Sequence, residues 1–310
     1  MGLTISICMA AYNGAEFIEQ QLYSILHQSR RPDEVIICDD GSADDTIGII
    51  RRFIGENHLE DGWKLYQNSE KKGYPGNFYY AMGLCSCDVV FLADQDDIWH
   101  ERKLEQMSRV LEQQSQAAVV SCKYSLIDAL GDDIHSIMAP ARTLGTGQLR
   151  KEDIRDVFYK CEWPGMVMAY RREWYEERKP EDSSIPHDFL VSAMAAEEDR
   201  FFQLDEQLAC HRRHESNSGG EEHRISRLLH KERKLKEIED YLTILRCFEE
   251  EQTLRSEKGR KALDDKLVSM QGRHDALRSG SIVRVLDNAY KNRSNVRLKT
   301  LICDLLIVKR

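Results

Sequence analysis

Three carboxylates crowd into four positions where the chain reads FLADQDDIWH: Asp94, Asp96 and Asp97 follow directly on the apolar run Val89 to Ala93. Like charges that close raise one another's pKa unless something positive sits among them. One carboxylate is enough to cap a helix, so the spare acids need another reason. Asp-X-Asp at the end of a strand suits Mg²⁺ or Mn²⁺, hard cations that take carboxylate oxygens and keep positions open for phosphates. An ion so placed grips a diphosphate and stabilises it as a leaving group.

Two other stretches carry polar groups at the end of an apolar run. TISICMAAYNG delivers Ala10, Ala11, Tyr12 and Asn13, and DEVIICDDGS delivers Asp39 and Asp40. Each also reads as an ordinary turn, and Asp39-Asp40-Gly41-Ser42 suits a helix N-cap. Asp97 equally suits a cap for a helix beginning near Ile98, with Trp99 as packing.

The elements that must position these groups are legible in the first hundred residues. TISICMAAY is near-continuously apolar, as in a sheet covered on both faces. AEFIEQQLYSILHQS follows with Phe17, Ile18, Leu22, Ile25 and Leu26 on one helical face. DEVIICDD, WKLYQN and DVVFLAD are further strands, separated by the helices DDTIGIIRRFIGEN and PGNFYYAMGLCS, the latter opened by Pro75. Strand and helix alternating at this rhythm predict an α/β fold with a mostly parallel central sheet. In such sheets ligands bind outside the carboxyl ends of the strands, where all three loaded stretches end.

Composition narrows the classes further. With 310 residues and 41% hydrophobic content the chain can bury one large domain and an appendage. At 31% charged, it has no run approaching the roughly 18 apolar residues of a membrane span. The opening MGLTISICMAAYNG has no basic region ahead of its apolar run and reads as a first strand, not a signal peptide. Nine cysteines without pairing rhythm point to reduced core thiols in a cytoplasmic protein. A net charge of -9 argues against a nucleic-acid partner.

Taken in order and at their spacing, TISICMAAYNG, FIEQQLYSILHQS, DEVIICDDGSADDT and VVFLADQDDIWHERKL resemble the family 2 glycosyltransferases of GT-A fold, a Rossmann-like nucleotide-diphospho-sugar transferase architecture. The Asp-Gln-Asp-Asp-Ile-Trp version is similar to rhamnosyltransferase-like bacterial members that build cell-surface polysaccharides. The resemblance covers residues 1 to about 220. It implies that Ala11 and Tyr12 line the base pocket and that Asp40 accepts from the base imide. It also implies that Asp94 lies near ribose and metal, that Asp96 is the principal metal ligand, and that Asp97 supports it and contacts the sugar. Asn77 matches a position near the donor where the family more often has an Arg-Asn pair; here Gly76 precedes it.

An inverting transfer needs a carboxylate to deprotonate the acceptor hydroxyl as it attacks the anomeric carbon. The family places one at the start of a helix after the mixed region, often as Glu-Asp. His187-Asp188 stands there, so the resemblance implies Asp188 as base, with His187 orienting it or touching the acceptor. A plain N-cap role for Asp188 is the alternative. CEWPGMVMAYRRE resembles the acceptor-side segment, with Trp163 stacking on a sugar face or filling core, and Gly165 leaving room. LACHRRHESNSGG resembles the closing motif, implying a diphosphate contact for Arg212 and a metal-ligand role for His214.

Beyond ESNSGGEE the chain turns charged and helical, which divides it into a catalytic domain, 1–220, and a helical region, 221–310. From Arg284 on, seven basic residues face two acids, Asp287 and Asp304. The last helix places Leu298, Leu301, Ile302 and Leu305 on one stripe. That stripe suits docking at the inner face of the cell membrane, or packing on the catalytic domain or a second protomer.

The reading is thus an inverting, metal-dependent transferase using Mg²⁺ or Mn²⁺. It moves a sugar from a dTDP-rhamnose or UDP-sugar donor to a hydroxyl of a saccharide or lipid-linked saccharide. A catalytically silent nucleotide-sugar-binding subunit of a polysaccharide assembly complex is the competing one. An Asp-nucleophile phosphatase is disfavoured, because its Asp pair ends the first strand, which here ends in Tyr-Asn.

Overall fold

The computed structural model describes residues 2–134, 145–160, 163–180, 182–214, 230–293 and 296–309. The first apolar run forms β1 (Ile5–Ala11), and the predicted amphipathic segment forms α1 (Ile18–Leu26), burying Ile18, Leu22 and Ile25. Next come β2 (Glu34–Asp39), buried along its whole length, α2 (Thr46–Glu56), β3 (Trp63–Gln67), α3 (Gly76–Leu84) and β4 (Val89–Asp94). β1 pairs in parallel with β2 on one side and β4 on the other, and β2 pairs in parallel with β3. The register sets Ala11 opposite Asp39 and Ala10 opposite Asp94, so the three loaded strand ends lie side by side. The chain moves outward from β1 through β2 to β3 and then returns to the far side of β1. That reversal makes a crevice at the strand ends.

Beyond β4 the sheet is mixed. β5 (Ile98–Trp99), α4 (Lys103–Gln113), β6 (Val119–Ile127), β7 (Leu149–Lys151), α5 (Ile154–Lys160), β8 (Met168–Arg171), α6 (Arg172–Arg178), α7 (His187–Glu197) and β9 (Phe201–Arg212) follow. The strand order is β3-β2-β1-β4-β8-β6-β9-β5, with β7 also on β9. β5 is a departure from expectation: Ile98–Trp99 pairs antiparallel with Ala209–Cys210, and the helix starts only at Lys103. Asp97 therefore caps no helix. Among the buried side chains are the thiols of Cys8, Cys38, Cys85 and Cys122, all unbridged.

The chain forms two compact units, Met1–Asp153 with Glu162–Arg213, and Ile154–Cys161 with His214–Arg310. The expected boundary near Ser218 to Gly220 lies outside the described residues. The mid-chain helix α5 belongs with the helical unit, which sequence order does not suggest. That unit continues with α8 (Lys231–Glu250), α9 (Glu257–Ser279), α10 (Ile282–Lys291) and α11 (Leu298–Lys309). Ser256 caps α9 by accepting from Gly259 N at 2.8 Å, and Gly280, at φ 66°, ends it in the left-handed region that glycine tolerates. On α11 the exposed row is Leu298, Ile302 and Leu306, while Ile307 and Asp304 are buried. Among the described residues no helix is long and apolar enough to cross a membrane.

Candidate active site

At the end of β1, backbone and side chain are stitched to the neighbouring strand ends. Gln95 lies between Asp94 and Asp96, and its amide spans the gap to β1: Tyr12 N donates to Oε1 and Nε2 donates to Tyr12 O, both at 2.9 Å. A Cβ at Gly14 would lie 2.2 Å from that Oε1, so a larger residue there would have to displace the Gln95 amide. Asn13, at φ 48°, accepts from Ala43 N at 2.8 Å through Oδ1, which joins β1 to the turn after β2. Ala11 is buried, while the Tyr12 ring is exposed, with Lys71 Nζ 3.8 Å from its centroid. Tyr12 and Lys71 together offer a flat, cationic wall.

Asp40 is put to a different use from the one expected. It is buried, and its carboxylate accepts from Lys72 N at 2.7 Å, Gly73 N at 2.8 Å and Asn68 Nδ2 at 2.8 Å. Burial pushes its pKa up, but donation from Lys72, Asn68 and Gly73, with the charge of Lys71, holds it below the usual carboxylate range. The acceptor capacity expected to meet a base imide instead ties down the 68–73 loop. Asn77 is corrected likewise: it is buried, donates to Cys38 O at 2.9 Å and accepts from Asn68 at 2.9 Å. Its amide braces the sheet and does not face a donor.

The three acids after β4 separate by environment. Asp94 has its carboxyl pushed up to about 8, by burial first, then by Asp96 and Asp188, with Lys103 opposing. Asp97 points inward. Its Oδ1 accepts from Arg212 N at 2.9 Å, its Oδ2 is buried without a hydrogen-bond partner, and burial with Asp94 and Asp96 drives its pKa well up. Asp97 therefore does not reach a sugar. It braces the turn from beneath.

Two buried basic residues lie by this turn, Lys103 as a nearby charge and Arg212 as a hydrogen-bond partner. Lys103 is fully buried, donates to Met166 O and lies 3.4 Å from the Trp99 ring centroid. Burial lowers its pKa to about 8, against the pull of Cys122, Asp97 and Asp94. The sequence reading passed over Lys103, yet a signal was present: with Met107 and Leu111 it forms an i, i+4, i+8 row on the buried face of α4. Arg212 is fully buried too. It donates from Nε to Asp96 O at 2.8 Å, from Nη1 to Asp128 O and Ala129 O at 3.2 and 2.9 Å, and from Nη2 to Gln20 Oε1 at 2.6 Å. A guanidinium occupied this way cannot grip a diphosphate. It fixes the backbone from which Asp96 projects.

On the opposite side, α7 brings Asp188 into its first turn. Pro186 precedes the helix, so Asp188 is not its N-cap, although its Oδ1 accepts from Phe189 N at 2.8 Å. Asp188 is partly exposed and close enough to Asp94 to raise the latter's pKa. His187, in contrast, is buried with neither ring nitrogen hydrogen-bonded, stacked on Phe78 at 3.8 Å between centroids. Burial depresses its pKa, against the pull of Asp188. The expected acceptor contact from His187 is therefore replaced by packing beneath Asp188.

The space at Gly165 is filled by this ring. A Cβ there would lie 2.6 Å from His187 Nε2, so Gly165 admits the histidine, not a sugar. Trp163 is also corrected: it is 5% exposed and packs edge-on against Phe201 with centroids 5.4 Å apart. Gly165→Ala is expected to displace His187 at a cost of about 1–3 kcal/mol, the range for overpacking. Thermal unfolding checks this, and His187→Ala in the same chain should return most of the loss. A double variant no more stable than the single one would show that the two residues do not share the space.

The structure thus brings Tyr12, Asp94, Asp96 and Asp188 to one crevice, with Ala11, Asp40, Asn77, Asp97 and Arg212 as its frame. His214 falls in the helical unit, and no group of three or more His, Cys, Asp or Glu able to hold a metal occurs among the described residues. The acids nevertheless fit a cation. Asp94 is driven towards neutrality by burial first and then by the charges of Asp96 and Asp188, and a divalent cation beside it favours the ionised form.

Solved structures with the same architecture define its class. Staphylococcus aureus TarS 1-349 in complex with UDP-GlcNAc superposes with a TM-score of 0.65 at 16% identity, covering 99% of this chain and 89% of that one. A mannosyltransferase from Pyrobaculum calidifontis, solved with GDP-Man and Mn²⁺, gives 0.51 at 17% identity over 100% and 87%. The fold is GT-A. Residues 6–178 match the model of "Glycosyl transferase family 2", and the chain belongs to that family. Curated relatives include the "Putative glycosyltransferase EpsE" of Bacillus subtilis, 30% identical over 42% of this chain and 46% of its own length. The dTDP-rhamnosyl transferase RfbG of Shigella flexneri is 23% identical over 68% and 73%. The chain spans about half the length of EpsE and about two thirds of an uncharacterized Nostoc glycosyltransferase, 28% identical over 70% of this chain.

Proposed function

We propose that this protein is an inverting glycosyltransferase that moves a sugar from a UDP or dTDP donor to a saccharide hydroxyl in cell-surface polysaccharide synthesis. The observation that carries the reading is the convergence of Asp94 and Asp96 with Asp188 across one crevice at the ends of β1 and β4. Family membership supports it, as do relatives named for nucleotide-sugar transfer. The base lies against Tyr12 and Lys71. Asp94 and Asp96 would hold a divalent ion, which supplies charge to offset the departing diphosphate. Asp188 takes the proton of the acceptor hydroxyl as its oxygen bonds to the anomeric carbon. The bond from that carbon to the diphosphate oxygen breaks on the opposite face, and its electron pair leaves with the nucleoside diphosphate.

Asp97 and Arg212 tie the Asp94–Asp97 turn to the end of β9, and Lys103 places a buried charge near Asp94 and Asp97, an arrangement that pre-positions the ligand oxygens. The test is thermal stabilisation by UDP and dTDP with and without Mn²⁺. Stabilisation should require the metal and vanish in Asp96→Ala. No response to any nucleoside diphosphate would count against the reading. The sign of the pH effect follows from Asp94, whose carboxyl is pushed up to about 8 by burial and by Asp96 and Asp188. Its folded value lies above its unfolded one, so this group's contribution to stability is full below the unfolded value and is lost as pH rises towards 8. The same rise frees the carboxylate for a cation, so stabilisation by Mn²⁺ should grow from pH 6 to pH 8.

A further inference from the structure

Trp163, the aromatic expected to meet a sugar, is buried, yet another aromatic stands in the crevice. Tyr74 directly follows the 68–73 loop, which Asp40 ties down through Lys72 N and Gly73 N. Gly73, at φ 67°, turns the chain in the left-handed region, and its carbonyl accepts from Asn77 N at 2.8 Å. On the other side Pro75 O accepts from Tyr79 N at 3.2 Å, so the backbone is anchored both before and after Tyr74. Its ring packs edge-on against His187 and Phe78, with centroids 5.9 and 6.4 Å away. That stacked pair is the floor beneath Asp188, and Tyr74 stands on it with 64% of its surface open.

The surroundings of Tyr74 show where the open part looks. Its pKa is raised, by desolvation first and then by the charges of Asp188, Asp94 and Tyr79. Asp188 stands on α7 and Asp94 at the end of β4, so a side chain within reach of both lies between the two walls. A tyrosine on a convex surface is exposed without being desolvated, and calls for no explanation. One that is open by area and still desolvated lines a concavity, crowded by protein on several sides while one side faces solvent. The raised pKa also keeps the phenol protonated at neutral pH, so its hydroxyl remains a donor between two acids.

We infer that Tyr74 contacts the transferred sugar of the nucleotide donor and helps set which sugar the crevice accepts. The inference rests on the transferase reading above. In-line displacement puts the anomeric carbon between the diphosphate leaving towards Asp94 and Asp96 and the acceptor oxygen at Asp188. Tyr74 stands beside that line. Its ring offers an apolar surface to the C–H groups of a pyranose, and its hydroxyl donates to a sugar oxygen. Tyr12 and Lys71 serve the nucleoside at the end of β1, so the two ends of the donor meet different aromatic residues.

The test separates the sugar from the nucleotide. Wild-type, Tyr74→Ala and Tyr74→Phe proteins are titrated calorimetrically with UDP and dTDP, and then with UDP-glucose, UDP-N-acetylglucosamine and dTDP-rhamnose. Mn²⁺ is present throughout and acceptor is omitted. Tyr74→Ala should weaken the best-bound sugar nucleotide about tenfold while changing the bare diphosphate less than about twofold, the size of one lost sugar contact. Tyr74→Phe behaving as wild type assigns the contact to the ring, and behaving as alanine assigns it to the hydroxyl; either supports the inference. Unfolding curves verify that both variants fold. Equal weakening of diphosphate and sugar nucleotide, or no change in either, overturns it. Failure of the wild-type protein to bind any of these nucleotides would instead count against the transferase reading itself, before any variant is compared.

Discussion

Asp188→Asn is expected to lower transfer by about 10²–10⁴-fold, the usual contribution of a positioned general base. The amide preserves the shape of the side chain and removes its capacity to take a proton. Nucleotide binding should persist, because Asp188 projects from α7 while the nucleobase and diphosphate positions proposed above are at the ends of β1 and β4. The measurement is product formation beside UDP- or dTDP-induced stabilisation on the same preparation. Loss of transfer with binding retained identifies a group acting in the chemical step. Retained transfer would return Asp188 to a structural part in the first turn of its helix. The same pair of readouts separates an enzyme from a silent nucleotide-sugar-binding subunit, since the latter binds and never transfers.

Arg212→Met is expected to cost about 1–3 kcal/mol, because it removes the one guanidinium that several part-buried acceptors share. Those acceptors are the carbonyls of Asp96, Asp128 and Ala129 and the amide oxygen of Gln20. Methionine fills the volume but donates nothing. Arg212→Lys should recover only part of the loss, since an ammonium lacks the planar fork that reaches separate carbonyls. Denaturant unfolding gives the stability change. Metal-dependent nucleotide stabilisation, read at a temperature where the variant is still folded, reports whether the Asp96 turn has loosened. A variant that keeps wild-type stability would show that water replaces the guanidinium without penalty.

His187 and Gly165 teach the same lesson as Arg212. Each was singled out because a chemically capable residue stood at a plausible place in a motif. Each is instead consumed by packing: the ring of His187 fills the space that Gly165 leaves. The exposed polar atoms of the crevice belong to fewer residues than the motifs suggest. Lys103 shows the converse. It resembles one more surface lysine in a charged helix, and only its row with Met107 and Leu111 hints that it is buried beneath the acids.

By itself the sequence determined the alternation of strand and helix, the four parallel strands, and the delivery of Tyr12, Asp94 and Asp96 to their carboxyl ends. These follow from local periodicity and from polar residues terminating apolar runs, both of which one segment carries alone. It also singled out Asp188, through a resemblance that places an acid at the start of that helix. The tertiary structure decided which polar side chains remain available. Asp40 is claimed by a loop about thirty residues away, and Asp97 by a backbone amide 115 positions along the chain. A lone pair can be filled by any donor that folding brings near, and such long-range pairings leave no trace in local pattern. Strand ends can be read from the chain, but the direction of each side chain there depends on partners that only the assembled fold supplies.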